Sequence, residues 1–382
     1  MRTRLVPRLA LVLGLAAAAA SPAQKPRARD LGVPFDGTPG PLNAITDVAG
    51  VEVGQVTLVS GEGRLEVGRG PVRTGVTAIH PRGKASNDPV FAGSFALNGN
   101  GEMTGLAWLS ESGVLEGPVV LTNTHSVGLA RDAVIAWQNR RGPGAQAWGL
   151  PVVAETWDGW LNDINGFHVK EAHVFRALDE ARGGPVDEGG VGGGTGMVCF
   201  ELKGGVGTSS RRLETRHGGY TLGVLVQANF GLRRQLTVAG VPVGREITEG
   251  TFRDDEAGSI IIVIATDAPL LPHQCDRLAR RAAMGLARTG SVAMNGSGDL
   301  FVAFSTANPG LALAKSAVPA LVLPNGAMNP LFTATVQATE EAIVNALVGG
   351  ETMVGIDGHR VLGLPHDRLR EVLAKHGRLE AR

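Results

Sequence analysis

Apolar residues along much of this chain fall into short runs separated by glycine, a pattern typical of β-strands joined by tight turns. VEVGQVTLV, at residues 51–59, alternates with a period of two until Ser60-Gly61 interrupts it. Longer apolar runs predict further, buried strands at residues 75–81, 118–124, 197–202, 220–231, 259–270, 300–304 and 320–324.

Four segments instead show the spacing of amphipathic helices, at residues 126–140, 166–182, 272–290 and 337–350. The third begins with Pro272 and is followed by Gly290, residues that favour the start and the end of a helix. Strands and helices are mixed along the chain, and no linker or change in composition divides it. We therefore predict one α/β domain in which helices cover layered sheets.

Composition is that of a globular protein large enough to bury a substantial core: 382 residues, 43% hydrophobic and 19% charged. The 55 glycines are about twice the average usage but follow no fixed period, which excludes a collagen-like chain and favours many tight turns. Lysine plus arginine equals aspartate plus glutamate at 36 each, so no excess of positive charge favours nucleic-acid binding. We expect no nucleic-acid partner.

The N-terminus, residues 1–23, is predicted to be a secretory signal peptide. The basic start MRTR precedes the apolar stretch LALVLGLAAAAA, and small residues suited to cleavage after Ala20 or Ala23 follow it. The apolar stretch is short for a membrane span, although an N-terminal anchor helix is the alternative. The signal peptide predicts a periplasmic or secreted protein.

The sequence gives little support for a disulfide, a metal site or a phosphate-binding loop. Cys199 and Cys275 each have apolar neighbours, which favours buried thiols over a disulfide. Neither a CxxC nor an HExxH motif occurs, so we expect no metal and no cofactor. The glycine-rich segment 189–211 lacks the Gly-Lys-Ser/Thr ending of a phosphate-binding loop, and its glycines are explained as turns around a strand.

Ser297 is the candidate nucleophile. It lies between Gly296 and Gly298 in the sequence NGSGD, directly before the predicted strand at 300–304. Such a segment is either a plain turn or a reactive hydroxyl that glycines leave accessible. A serine nucleophile needs a base, and none of the nine histidines is close to Ser297 in sequence. If the chain is cut before Ser297, the new α-amino group, with a pKa near ~7.7, could serve as that base.

The chain resembles the L-aminopeptidase/D-esterase family, which includes the β-peptidyl aminopeptidases. Matching motifs run through almost the whole chain: NAITDVAGVEVG (43–54), RTGVTAIHPRG (73–83), NGNGEMTGL (98–106), LTNTHSVG (121–128), VVAETWDGWLNDING (152–166), VGGGTGMVCFELKGGVGTSSR (191–211), LVQANFG (225–231), ATDAPLLPHQCDRLARRAAMGLARTGS (265–291), NGSGD (295–299) and ATEEAIVNAL (338–347).

The resemblance implies a four-layer αββα sandwich, similar to the N-terminal-nucleophile hydrolases but with different strand connectivity. It also implies self-cleavage between Gly296 and Ser297 into a large subunit, 24–296, and a small subunit, 297–382. Family members often assemble four such αβ pairs, which predicts a homo-oligomer. They hydrolyse N-terminal residues from short peptides, amides and esters with a free amino terminus, and some accept β-amino acids.

The resemblance also implies roles for individual residues. Ser297 would be the nucleophile, and the side-chain amide of Asn229 would stabilise the oxyanion. Thr339 and Glu341, in ATEEAI, match a Ser/Thr-x-Glu pair that would orient Ser297 and its amine. From the sequence alone, Asn229 also suits a strand-end turn, and Thr339 and Glu341 also suit a helix N-cap with an acidic first turn.

Substrate binding is assigned by the resemblance to the segment AETWDG. Glu155 would bind the ammonium group of the substrate, and Trp157 would form a wall of the pocket. The alternatives are a surface glutamate and core packing; Trp160 is expected in the core. Glu102 and Asn123 lie in matching motifs without an assigned chemistry.

Two other functions remain open at this stage. An acyltransferase of the ornithine acetyltransferase type has a related fold, but it uses a threonine nucleophile in a different motif. A periplasmic binding protein that keeps the Gly296–Ser297 bond intact would use the same scaffold without catalysis.

Overall fold

The computed structural model describes residues 25–142, 147–255 and 258–380; the predicted signal peptide lies outside the described residues. The helices in this part of the chain are α1 Leu106–Ser112, α2 Val127–Asn139, α3 Glu171–Asp179, α4 Pro272–Arg288, α5 Asn329–Val348 and α6 His366–Lys375. None of the described helices is long and apolar enough to cross a membrane.

The strands form two main sheets and two short hairpins. In chain order they are β1 Glu52–Ser60, β2 Val72–His80, β3 Val90–Gly99, β4 Val114–Leu115, β5 Val119–Asn123, β6 Val152–Thr156, β7 Val198–Cys199, β8 Leu202–Lys203, β9 Gly205–Arg212, β10 Thr221–Asn229, β11 Gly258–Thr266, β12 Ser297–Ser305, β13 Met353–Val354 and β14 Arg360–Val361.

The larger sheet has six strands in the order β4-β3-β12-β11-β10-β9, and the smaller has four in the order β1-β2-β5-β6. Neighbouring strands are antiparallel except for the parallel pairs β11/β12 and β5/β6. The β7/β8 and β13/β14 pairs form the hairpins. Strand β12 is therefore held on both sides, by β3 and by β11.

Alternation along the buried strand β11 shows how the layers are stacked. Ile260 and Ile262 pack in the apolar cluster that contains α4, α5 and α6. Ile261 and Val263 point the other way, into a cluster shared with Leu121 of the four-stranded sheet. Each fully buried isoleucine stabilises the fold by roughly 1.5–3 kcal/mol.

A third apolar cluster completes the sandwich. It joins the outer face of the four-stranded sheet to α2 and α3, for example through Val76, Val134 and Leu178. The order of layers is thus helices, six-stranded sheet, four-stranded sheet, helices, as the αββα prediction requires. Cys199 and Cys275 are buried thiols, which confirms the prediction for the cysteines.

The predicted strand at 320–324 is wrong. The segment lies in irregular structure with Leu321 71% exposed. Pro319 precedes the segment and Pro324 is its last residue, and neither has an N–H group to donate to a sheet. The side chain of Asn308 instead bonds both the N–H and the carbonyl of Leu321, at 2.8 and 2.9 Å.

The predicted single strand at 197–202 is also wrong, because the chain reverses in its middle. Phe200 and Glu201 have φ of 51° and 57°, and they form the turn between β7 and β8. The buried Glu201 carboxylate holds this turn by accepting backbone N–H groups from Phe252, Arg253 and Arg233, at 2.6, 2.8 and 2.8 Å. These partners are remote in sequence, so local periodicity does not reveal the turn.

Helix boundaries differ from the predictions in two places. The helix expected at 166–182 is shorter, at Glu171–Asp179, and the helix expected at 337–350 is the second half of the longer α5. Thr339 and Glu341 therefore lie in the interior of a helix and not at its N-cap.

Candidate active site

One end of the sandwich gathers most of the predicted site residues. Strand β12 begins there with Ser297, β10 ends there with Asn229, and Glu155 is next to last in β6. Asn229 pairs with Ser259 of β11, which pairs in turn with Gly298 of β12. Two strand spacings separate the backbones of Asn229 and Gly298, about 10 Å.

Ser297 is fully buried and anchored by two hydrogen bonds. Its N–H donates to the carbonyl of Met294 at 2.9 Å, and its hydroxyl donates to Oδ1 of Asp299 at 2.7 Å. Asp299 pairs with Ile260, whose side chain faces the helices, so Ser297 and Asp299 both point to the helix side of the sheet. In the uncut chain the nucleophile candidate thus faces away from the second sheet.

The loop after β3 runs directly beside the start of β12. A Cβ on Gly298 would lie 2.4 Å from the carbonyl oxygen of Asn100, so this close approach requires glycine. A Cβ on Gly101 would meet Glu155 Oε1 at 3.2 Å and the Cα of Gly298 at 3.3 Å. The loop therefore fills the space between β12 and Glu155.

Asn100 of this loop and Asn98 at the end of β3 hold the segment that precedes Ser297. Asn100 Nδ2 donates to the carbonyl oxygen of Gly296 at 3.1 Å. Asn98 Nδ2 donates to the carbonyls of Ala293 and Met294, at 3.2 and 2.6 Å. The expected scissile carbonyl thus accepts a hydrogen bond in the uncut chain.

Glu155 is a buried carboxylate at this end of the four-stranded sheet, with 2% exposure. Oε1 accepts the backbone N–H of Glu102 at 2.9 Å, and Oε2 accepts the hydroxyl of Thr124. Burial raises the pKa of Glu155, and these two hydrogen bonds partly oppose the rise. Glu155 is therefore not the surface glutamate considered above. It is a buried acidic side chain that favours a cationic partner.

Asp158 is a second buried carboxyl group close to Glu155. Burial raises its pKa to about 7, although hydrogen bonds from Thr74 and Asn162 act in the opposite direction. Asn123 donates to the Thr74 hydroxyl at 2.7 Å and caps the short turn that follows β5. The resemblance assigned no chemistry to Asn123. In the structure its side chain holds Thr74, which contacts Asp158.

Asn229 is buried, and both ends of its side-chain amide contact backbone. Oδ1 accepts the N–H of Val198 at 2.7 Å, and Nδ2 donates to the carbonyl of Trp157 at 2.8 Å. Its alternation in β10 directs the side chain toward the second sheet, as for Gln227. Among the residues that the structure describes, the fixed amide leaves one Nδ2 hydrogen for a further acceptor.

The two tryptophans of this segment differ in their surroundings. Trp157 is 36% exposed, and its ring lies against Gly159, where an added Cβ would come within 2.6 Å. Trp160 stacks between Phe252 and His359, with ring centroids 4.8 and 4.1 Å apart. Trp160 is thus a packing residue, whereas Trp157 has a face accessible to a ligand.

Glu341 lies in a buried ionic cluster. Arg211 Nη2 donates to Oε2 at 2.7 Å, and Arg29 contacts both carboxylate oxygens at 2.8 and 2.9 Å. Asn43 Nδ2 adds a bond of 2.6 Å to Oε1. Burial by itself would raise the pKa of Glu341, but Arg211 and the other donors outweigh it and hold the pKa below its ordinary value.

The structure does not bring Glu341 to Ser297, contrary to expectation. Arg211 lies on the row of the six-stranded sheet that contains Ser305, at the far end of β12. That row is about 26 Å along the strand from Ser297 at the usual rise per residue. Thr339 packs against Gly285 of α4, and its buried hydroxyl has no hydrogen-bond partner among the described residues.

Several contacts of the site involve groups that sequence reasoning did not identify. Thr124 and the Glu102 N–H hold Glu155, Asp299 accepts from Ser297, and Asn100 contacts Gly296. Asp299 could have been found from its i, i+2 spacing to Ser297, which places both on one face of a strand. The Glu102 contact uses backbone, so its side chain gave no signal.

A cavity of about 470 Å³ lies elsewhere in the molecule. It is lined by His80, Trp137 and Trp148, near the starts of β5 and β6. This is the opposite end of the four-stranded sheet from Glu155, so the cavity is separate from the site around Ser297.

Comparisons with known proteins extend the resemblance seen in the motifs. The family model of peptidase family S58 matches residues 43–361. Beta-peptidyl aminopeptidase BapA of Sphingosinicella microcystinivorans is 55% identical, over 97% of this chain and 98% of that protein. BapA of Sphingosinicella xenopeptidilytica is 50% identical, over 95% of this chain and 94% of that protein.

Solved structures give the same result. A beta-aminopeptidase of Burkholderia sp. has a TM-score of 0.86 and 52% identity, over 92% of this chain and 99% of that one. L-aminopeptidase D-Ala-esterase/amidase of Ochrobactrum anthropi has a TM-score of 0.86 and 48% identity, over 93% and 100%. The latter is described as a prototype of the serine aminopeptidases and a new variant of the Ntn hydrolase fold.

Proposed function

Because the chain belongs to peptidase family S58 and is an aminopeptidase, we propose that it cleaves its own Gly296–Ser297 bond and then uses Ser297 as nucleophile. The observation that carries this proposal is the position of Ser297. It is the first residue of a central strand, and it lies at the end of the sandwich where Glu155 and Asn229 are found. Cleavage would make this residue the N-terminus of the fragment 297–382.

The proposed reaction proceeds through an acyl-enzyme. The new α-amino group of Ser297, with a pKa near ~7.7, takes the hydroxyl proton while Oγ attacks the substrate carbonyl. Ser297 Oγ faces the helix side in the uncut chain, so the mechanism requires the freed N-terminus to turn it toward the face on which Asn229 lies. Asn229 Nδ2 then donates to the oxyanion, and the amine or alcohol leaves with the proton. Water then hydrolyses the ester on Ser297 by the same steps.

Glu155 explains why the substrate would need a free amino terminus. Its carboxylate is buried and carries no salt bridge to a basic side chain among the described residues. An ammonium group is a strong partner for such a carboxylate. The proposed substrates are short peptides, amides and esters, and the beta-peptidyl aminopeptidases among the relatives add β-amino acids to the candidates.

We further propose a periplasmic or secreted enzyme, in which removal of residues 1–23 leaves a large subunit 24–296 beside the small subunit 297–382. A homo-oligomer of these αβ pairs is proposed as well. N-terminal sequencing of both fragments from the native host compartment tests the first proposal, and light scattering of the purified enzyme tests the second.

The acyl-enzyme can be tested by acid quenching during turnover of an amino-acid ester. The intact mass of the 297–382 fragment should increase by the acyl group, and peptide mapping should place the adduct on Ser297. The N-acetylated ester is the matched control and should give no adduct. Full hydrolysis by a Ser297→Ala variant, or an adduct on another residue, would contradict the mechanism.

A further inference from the structure

Lys203 is a buried lysine that the proposed mechanism does not use. It is 0% exposed, and no salt bridge joins it to an acidic side chain in the described part of the chain. Burial lowers its pKa to about 7, the positive charge of Lys25 acts in the same direction, and Cys199 acts in the opposite one. An ammonium group buried without a carboxylate partner is costly, and ionisable groups perturbed in this way are concentrated at functional sites.

Three backbone carbonyl groups hold the ammonium group. Lys203 Nζ donates to the carbonyl oxygens of Gly204, Met197 and Gly194, at 2.8, 2.9 and 3.3 Å. Gly194 and Gly204 permit this convergence, because a Cβ added to them would lie 2.4 and 2.5 Å from neighbouring backbone atoms. The three acceptors occupy all the N–H groups of the ammonium.

One of these carbonyls connects Lys203 to Asn229. The Met197 carbonyl belongs to the same peptide group as the Val198 N–H, and this N–H donates to Asn229 Oδ1 at 2.7 Å. Nδ2 lies at the other end of the Asn229 amide and is the proposed donor to the oxyanion. A chain of hydrogen bonds and amide groups therefore runs from the Lys203 ammonium to Nδ2 of Asn229.

We propose that Lys203 is a positioning residue for the oxyanion donor and acts on Asn229 through the Met197–Val198 peptide group. This inference rests on the oxyanion role proposed above for Asn229, and it adds the residue that orients and polarises that donor. Lys203 itself lies behind Asn229 and acts without contact to the substrate.

The first effect of Lys203 is on orientation. By holding the Met197 carbonyl, Lys203 fixes the peptide group and directs the Val198 N–H toward Asn229. An N–H can bond only to the oxygen of the Asn229 amide, so Nδ2 must take the other end. One Nδ2 hydrogen bonds there to the Trp157 carbonyl at 2.8 Å. A flip of the amide would lose both bonds, so the second Nδ2 hydrogen has a fixed direction.

The second effect is electrostatic. Both amide dipoles of the chain have their oxygen toward Lys203 and their N–H groups on the far side. A positive charge at the oxygen end polarises each amide in turn and makes the Asn229 N–H a stronger donor. Negative charge develops on the oxyanion only during the reaction, so this gain should act on kcat more than on KM.

The test is a double-mutant cycle of Lys203→Met and Asn229→Ala, with kcat and KM measured on a peptide amide. Alone, Lys203→Met should lower kcat about tenfold or more, which is less than the loss of the donor itself. KM should change less than about twofold, because the proposed partner of the substrate amine is Glu155. In the Asn229→Ala background, Lys203→Met should lower kcat less than about twofold, whereas a purely structural contribution would lower it equally in both backgrounds.

Lys84→Met is the matched control. Lys84 Nζ also donates to backbone carbonyls, those of Asp179 and Ala181 at 2.7 and 2.9 Å, but these lie at the end of α3 in the outer helical layer. This variant should keep the wild-type kcat. Thermal unfolding shows whether each variant is folded. If Lys203→Met does not fold, Lys203→Gln takes its place in the cycle, because glutamine removes the charge and keeps an N–H donor.

Intact mass gives the cut fraction of each variant, and kcat is expressed per cut chain. A variant that stays uncut is prepared by co-expression of residues 24–296 and 297–382, beside the wild-type pair, so that the mature enzyme is compared in every case. The initiator methionine is removed from the smaller fragment, which then begins with Ser297.

The possible failures are distinguishable. A wild-type chain that stays uncut refutes the self-processing, and a folded Asn229→Ala variant with wild-type kcat refutes the oxyanion role of Asn229. Either result removes the function on which this inference rests. If both proposals hold, a folded Lys203→Met variant with wild-type kcat, or with the same loss in both backgrounds, overturns only the role of Lys203.

Discussion

Arg211 and Glu341 form a buried ion pair, with Nη2 and Oε2 2.7 Å apart, between the end of β9 and the middle of α5. Arg29 of the N-terminal segment joins the same carboxylate. The pair thus links the edge of the six-stranded sheet, the helix above it and the start of the described chain. This geometry makes Glu341 a residue of the scaffold, remote from Ser297.

Replacing Glu341 by Gln should therefore destabilise the protein without abolishing its chemistry. Breaking a buried pair by removing one partner typically costs about 3–5 kcal/mol, because Arg211 would remain buried without its counter-charge. The neighbouring pair Glu340–Arg288 is partly exposed, so Glu340→Gln should change the free energy of unfolding by less than about 1 kcal/mol. Urea titration measures both. A stable, folded Glu341→Gln variant that is neither cut nor active would instead support the orienting role expected from the sequence.

Replacing Glu155 by Gln should weaken binding of substrates with a free amine. A hydrogen bond to a charged group contributes about 1.5–3 kcal/mol, so KM should rise roughly 10- to 150-fold. Initial rates with a peptide amide and with its N-acetylated form give the comparison. The variant should lose its preference for the free-amine substrate, and an unchanged preference would remove the assigned role of Glu155.

Replacing Asn229 by Ala should lower kcat more than it raises KM. Loss of one oxyanion donor typically costs about 2.7–4 kcal/mol of transition-state stabilisation, which corresponds to about 10²–10³ in kcat. Asn229 also holds Val198 and Trp157, so unfolding curves must accompany the kinetics. A folded variant with wild-type kcat would show that the oxyanion is stabilised elsewhere.

Asp158 should make the protein less stable as pH rises from about 4 to about 7. Burial raises its pKa to about 7 from the ordinary value of 3.8, so the folded state binds more protons than the unfolded state across this range. Stability then falls with increasing pH, by up to about 1.4 kcal/mol per pH unit. Asp158→Asn should reduce this slope while keeping an acceptor for Asn162. Equal slopes in the two proteins, measured by denaturant titration at several pH values, would contradict the assignment.

Elements that depend on local apolar patterns could be predicted from the sequence, whereas elements held by contacts between residues remote in the sequence could not. Strands β1, β2, β5, β10, β11 and β12 were predicted because their apolar runs are local signals. The turn at Phe200 depends on Glu201 bonding to residues about fifty positions away, and the irregular segment around Leu321 depends on Asn308. Such contacts leave no periodic trace in the sequence.

The same distinction applies to the site. Glu155 and Asn229 lie at strand ends that the fold brings together, so family motifs were sufficient to place them. Glu341 lies in the matching motif on α5, but its carboxylate forms ion pairs with Arg211 and Arg29. Only the folded structure reveals these contacts. The contact of Asn100 with Gly296 depends on the loop after β3 lying beside Gly298, a long-range approach that leaves no local signal in the sequence.

The central claim is that Ser297 becomes an N-terminal nucleophile, and the intact mass of the purified protein tests it most directly. The wild-type protein should consist of two fragments that meet between Gly296 and Ser297, and the Ser297→Ala variant should remain one chain. A wild-type protein that stays whole after long incubation, yet hydrolyses its substrates, would contradict the account.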